Sequence, residues 1–135
     1  MALNLNYSTA IRNARLDAIT SAIGSSGKLR IYDGSQPTNV GTALGAQVLL
    51  ADLALSATFA PGASSGVLTA NSITADSAAD ASGTAAWGSL LNSSNVRQVD
   101  FTVGTSGTDM IIDSTSITAG QQVSCSSFVI TAGNA

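Results

Sequence analysis

Between Ser8 and Tyr32 the sequence STAIRNARLDAITSAIGSSGKLRIY changes its hydrophobic period once, from helical to strand-like, and nothing further along repeats the helical pattern. Ser8 has the hydroxyl that an N-cap uses to accept from the first unpaired N–H groups of a helix. Helix formers then run to Ile23 with few breakers. Ile11, Ala14, Ala18 and Ala22 share one stripe, with Leu16, Ile19 and Ile23 beside it, so the spacing predicts an amphipathic helix over about 8–23 with a broad apolar face. Arg12, Asn13, Asp17 and Thr20 fall mostly outside that face. Gly24 stands where a helix ends in a residue free to take positive φ. Lys28 to Tyr32 then alternates, with Leu29 and Ile31 on one side.

The remainder reads as short strands separated by turns. Gln47 to Leu55, QVLLADLAL, is apolar enough for a central strand covered on both faces, although a run this short also admits a helix. Strands are further expected at Gly66 to Ile73, Thr84 to Leu91, Val96 to Val103, Met110 to Ile112 with an extension at Ser114 to Ile117, and Val123 to Thr131. The segment 96–103 alternates most clearly, with Arg97, Val99, Phe101 and Val103 on one side and Gln98, Asp100 and Thr102 on the other. The segment 74–83 carries no large apolar residue and is expected to be an exposed loop. This spacing predicts a single, mainly β domain over residues 1–135: an antiparallel β-sandwich or jelly roll over about 28–131, led in by one N-terminal helix. Ile11, Arg12, Arg15, Leu16, Ile19, Trp87, Phe101 and Phe128 are the candidates for core or interface positions, Trp87 above all because of its bulk.

Chemistry is limited by what the chain lacks. It has no histidine, which removes the Ser-His and Cys-His nucleophile systems and the usual zinc sites. Its eight acids are all Asp, with net charge −3, and none stands in a catalytic motif, so a small Asp-dependent hydrolase has no pattern behind it. Asp76 and Asp80 could offer oxygen ligands to a hard cation such as calcium; a solvated turn accounts for them as well. Five basic residues without a cluster argue against phosphate-backbone binding. Arg12 and Arg15, one turn apart, could meet acids of a neighbouring subunit or simply flank a solvated helix. Cys125 is the only cysteine and reads as a small buried thiol within a strand. No apolar run reaches the length of a membrane span, and the N-terminus lacks the blocks of a secretory signal, so a cytoplasmic origin is expected. Charged residues make up 10% of the chain, against roughly 25% in an average soluble domain. A surface of small polar groups with few ions suits an assembly subunit.

The order NARLDAITSAIG, LRIYDGSQP, SGVLTANSITADSAADASGTAAW and VGTSGTDMIIDSTSITAGQQVSCSSFVITAGN resembles a group of small virion proteins of tailed bacteriophages, from Ala14 to Asn134. The segment from Gln47 to Leu55 departs most from that pattern. The resemblance implies a particle component with no catalytic residues and no cofactor. The expected role is a capsid decoration, or cement, protein that binds the major capsid protein as a homo-oligomer, a trimer above all, with a tail, fibre or adhesin component as the alternative. It also implies a place on the virion surface after assembly in the host cytoplasm, and no nucleic-acid or membrane partner.

Overall fold

The computed structural model describes residues 6–125 and 127–132. The chain is mainly β with one N-terminal helix, α1 (Thr9–Ile23). Nine strands follow: β1 (Lys28–Tyr32), β2 (Leu49–Ala54), β3 (Val67–Thr69), β4 (Gly83–Thr84), β5 (Trp87–Leu91), β6 (Arg97–Gly104), β7 (Met110–Ile111), β8 (Ser116–Ile117) and β9 (Ser127–Thr131). Seven of them form one mixed sheet in the order β2-β1-β5-β6-β7-β9-β3, and β4 pairs with β8 separately. Every pairing is antiparallel except β6 with β7, which runs parallel through Val103 and Met110.

The helix begins and ends where the local chemistry says it should. Ser8 Oγ accepts from the Ile11 N–H at 3.2 Å, and Gly24, at φ 67°, donates its N–H to the Thr20 carbonyl. Its orientation keeps the Leu16, Ile19 and Ile23 side of the expected apolar face inward and turns the rest of that face outward. Leu16 and Ile23 are buried and Ile19 packs at the margin of the core, while Ile11, Ala14, Ala18 and Ala22 are exposed. Polar residues take the inward positions instead. Arg12 Nε donates to the Ala132 carbonyl at 2.8 Å, Asn13 Oδ1 accepts from Gly66 N–H at 2.9 Å, and Asp17 Oδ1 accepts from Ala63 N–H at 2.7 Å. They answer main-chain groups at the ends of β3 and β9 that the ladder leaves open, and an open group buried under a helix costs more than an exposed alanine loses. Gly66 is required at this junction: it takes φ 73°, and a Cβ there would run into the Arg12 guanidinium.

The core lies against one face of the central strands. Leu29, Ile31, Leu53, Leu90, Phe101 and Val103 meet Leu16 and Ile23 of the helix, Leu68 of β3 and Phe128 of β9 in one cluster. Phe101 and Phe128 meet edge to face with centroids 4.8 Å apart, and Phe59 packs edge-on to Phe128 at 6.1 Å.

β2 is a strand, as one reading of its sequence expected, but it stands at the margin of the sheet and not at its centre. Its buried character comes from the segment 74–80, which lies along its free side. Thr74 N–H bonds the Ala54 carbonyl, Asp80 N–H bonds the Leu50 carbonyl, and Asp76 Oδ2 accepts from Asp52 N–H at 2.9 Å. That segment is therefore a cover whose main chain is bonded along β2 and whose Ala79 is buried, while Thr74, Ser77, Ala78 and Asp80 stay exposed as its composition suggested. Cys125 is half-buried just ahead of β9, outside the strand.

Candidate interaction surfaces

The opposite face of β1, β5 and β6 carries a second, differently built layer. Alternation sends Ile31, Gly88 and Phe101 to the core, so their neighbours Tyr32, Trp87 and Thr102 point the other way. Tyr32 stacks on Trp87 at 4.6 Å with the rings 15° from parallel, and the Arg97 guanidinium lies 5.8 Å from the indole centroid. The indole Nε1–H donates to the Asp33 carbonyl at 3.1 Å, which satisfies the one polar atom of a side chain that is 1% exposed. Trp87 is thus buried as expected, yet outside the main apolar cluster.

Arg97 reaches this layer because of a bulge. The register passes from Leu90–Val99 to Leu91–Arg97, and the extra residue moves Arg97 off the side it would share with Val99 and Phe101. Simple alternation misplaces it for that reason. From the outer face its guanidinium donates to Asp100 Oδ2 at 3.2 Å and to the carbonyls of Val40 and Thr42. These bonds hold the loop 33–48 over the sheet. Asp33 Oδ1 adds a bond from Val48 N–H at 2.7 Å.

Between this loop and the strands lies a cleft of about 410 Å³, lined among others by Arg30, Tyr32, Leu44, Leu91, Val96 and Arg97. Both guanidinium groups on it are engaged within the chain. Arg30 Nε pairs with Asp52 across the β1–β2 ladder at 3.1 Å, and its Nη2 reaches Asn95 Oδ1 at 3.4 Å. The cleft offers apolar contact from Leu44, 40% exposed, and Val96, 53% exposed, with no nucleophile set against a base.

The sequence-expected positions divide cleanly. Leu16, Trp87, Phe101 and Phe128 are buried, and Ile19 is half-buried. Ile11 is 50% exposed and takes no part in the core. Arg12 is bonded into the body of the protein, so it is not an open cation waiting for a neighbouring acid. Arg15 stays on the exposed flank with its guanidinium 5.0 Å from the Tyr7 ring centroid. Arg97 and Asp100 were not singled out by the sequence; the one available signal is an Arg placed among apolar residues at the start of a well-alternating strand.

The carboxylates act mainly as staples. Asp17, Asp33, Asp76 and Asp109 each accept from main-chain N–H groups of another segment, and Asp52 and Asp100 each pair with an Arg. Asp76 also accepts from Ala78 N–H at 3.0 Å, so it holds the cover over β2 rather than standing in a solvated turn. Among the described residues no group of three or more His, Cys, Asp or Glu side chains could hold a metal ion. No described helix is long and apolar enough to cross a membrane. No protein-family model matches this chain, and neither the curated proteins nor the solved structures give a match.

Proposed function

We propose that the chain is a structural component of a tailed-phage virion, a decoration protein that binds the major capsid protein as an oligomer and stabilises the head. The observation that carries this reading is the outward face of α1. Ile11, Ala14, Ala18 and Ala22 present a low-relief apolar surface to the outside, while Arg12 and Asp17 of the same helix are engaged within the fold and Arg15 beside them lies over the Tyr7 ring. Small side chains let another backbone approach closely, and a surface with few free ions loses little hydration when covered.

A shell under outward pressure from packed DNA opens by separating its subunits. A clip that buries interface with several of them raises the cost of opening, and roughly 1,200 to 2,000 Å² is usual for a stable contact. Many identical copies make modest contacts strong together. A trimer is the state that suits threefold and local threefold positions of such a shell.

Gel densitometry of purified particles against the major shell protein tests the placement directly. Copies comparable in number to the shell subunits support the head reading. A handful per particle, with label imaged at the tail, replaces it with the tail, fibre or adhesin reading. Light scattering coupled to size exclusion tests the oligomer, and a monomer at high concentration counts against it.

A further inference from the structure

The sheet contains a position in which a strand is missing. Its cause is the brevity of β7, which separates β6 from β9 over two residues only. In an antiparallel ladder, successive residues turn their main-chain groups to opposite neighbours. On β6, Val103 N–H bonds the Ala86 carbonyl at 3.2 Å, so Phe101 and Val99 also face β5, and Gln98, Asp100 and Thr102 face away from it. β7 meets this far side only at Val103 and Gly104, and Asp109 Oδ2 takes the Thr102 N–H at 3.0 Å. On β9, Ala70 N–H bonds the Phe128 carbonyl and Ala132 N–H bonds the Gly66 carbonyl. Phe128, Ile130 and Ala132 therefore face β3, and Ser127, Val129 and Thr131 face the other way; the Met110–Phe128 pairing takes the Val129 N–H onto β7, which leaves Thr131 facing β6 where β7 has already turned away.

Where β7 lies between them, β6 and β9 stand two strand spacings apart, roughly 9 to 10 Å. Beyond it the structure has a slot of about 180 Å³, lined by the apolar Val99, Phe101, Phe128 and Ile130 and by the acids Asp100 and Asp109, with no basic residue. The Asp100 side chain is only 3% exposed. Its Oδ2 is held by Arg97, and its Oδ1 has no hydrogen-bond partner among the described residues. A buried acceptor without a donor is rare in a finished structure.

We propose that this slot is a strand-addition site, which takes an extended segment of a partner protein carrying a lysine or arginine. The segment's main chain pairs with Asp100 on one side and Thr131 on the other, its apolar side chains rest on Val99, Phe101, Phe128 and Ile130, and its cation meets the acidic wall. Charge complementarity selects this occupant over a second copy of the chain: Arg12, Arg30 and Arg97 are each bonded inside their own fold, Arg15 lies on α1 and Lys28 lies in β1 between β2 and β5, so no cation of a second copy stands on a free extended segment. The inference does not depend on where in a particle the protein sits, so it stands or falls separately from the decoration role.

Amide hydrogen exchange followed by NMR on the full chain tests it, with a blocked peptide of roughly six alternating Val and Thr residues bearing a central Lys as the probe and its Glu counterpart as the control. In the free protein, Asp100 and Thr131 amides are expected to exchange about tenfold faster than those of Phe101 and Ile130, which bond β5 and β3. The Lys probe is expected to slow them about tenfold, and the Glu control to leave them unchanged. Thr131→Pro removes a donor that faces the slot while sparing the β3 ladder, and should abolish the probe's effect. Should that variant fail to fold, Asp100→Asn, which keeps an oxygen for Arg97, should weaken the Lys probe about tenfold. Asp100 and Thr131 amides already protected in the free protein would overturn the proposal, by a second copy if the protection grows with concentration and by the chain itself if it does not. Equal effects of the Lys and Glu probes, or no effect of either, would also overturn it.

Discussion

The two faces of strands β1, β5 and β6 are both covered, the outer one only in part, and by different means. On one face Leu29, Ile31, Leu90 and Phe101 join a continuous apolar cluster with the helix, β3 and β9. On the other, Tyr32, Trp87 and Arg97 stack beneath a loop that is tied down by hydrogen bonds to its carbonyls. Apolar burial has no preferred direction, so the first face tolerates exchange of one hydrophobe for another of like volume. The second depends on a few donors in fixed places, and it can open without the first being disturbed.

The largest separation between the faces should come from their aromatic side chains. Phe101→Ala is expected to cost about 4 kcal/mol in global unfolding, read as a drop in the denaturant midpoint. Trp87→Ala is expected to cost about 3 kcal/mol, with faster amide exchange concentrated in residues 33–48. Equal exchange increases across α1 and β9 would show that the faces are one cooperative unit. Arg97→Ala removes the partner of a nearly buried carboxylate and two carbonyl contacts, and about 2 to 3 kcal/mol should be lost. Arg97→Lys should recover little of it, since a single ammonium cannot reproduce the fork; full recovery in thermal unfolding would reduce the guanidinium to a mere charge. On the helix, Ser8→Ala should cost about 1 kcal/mol through loss of the cap, measurable by helical circular dichroism and unfolding midpoint together. Smallest of all, Ile11→Ser should change stability by less than about 0.5 kcal/mol, because this side chain lies outside the core. A loss several times larger in the isolated, monomeric chain would place Ile11 under cover.

Those contrasts follow what the sequence could and could not convey. The cap at Ser8, the stop at Gly24 and the alternation through β6 depend on neighbours within a few residues, and they are readable from the chain. The facing of α1 depends on Gly66, Ala63 and Ala132, far away along the chain, whose open main-chain groups draw Arg12, Asn13 and Asp17 inward. No count of apolar residues contains that information. Burial of Leu50, Ala51 and Leu53 was legible, but whether a strand or a loop lies beside β2 was not, because apolar content registers coverage and not its source. Arg97 is the sharpest case: one bulged residue carries it to the other side of the sheet, and the bulge has no glycine or proline to announce it. The outer layer around Trp87 was accordingly visible only as one large side chain in need of a place.

The cover along β2 has a further effect on how the molecule behaves in company. A bare marginal strand is a template on which the next chain can add its own, and at high concentration such additions run on into fibres. With Thr74 and Asp80 donating to the carbonyls of Ala54 and Leu50, and Asp76 accepting from the Asp52 N–H, that flank offers a newcomer little to grip. Crowded copies are thereby steered away from open-ended growth at that flank.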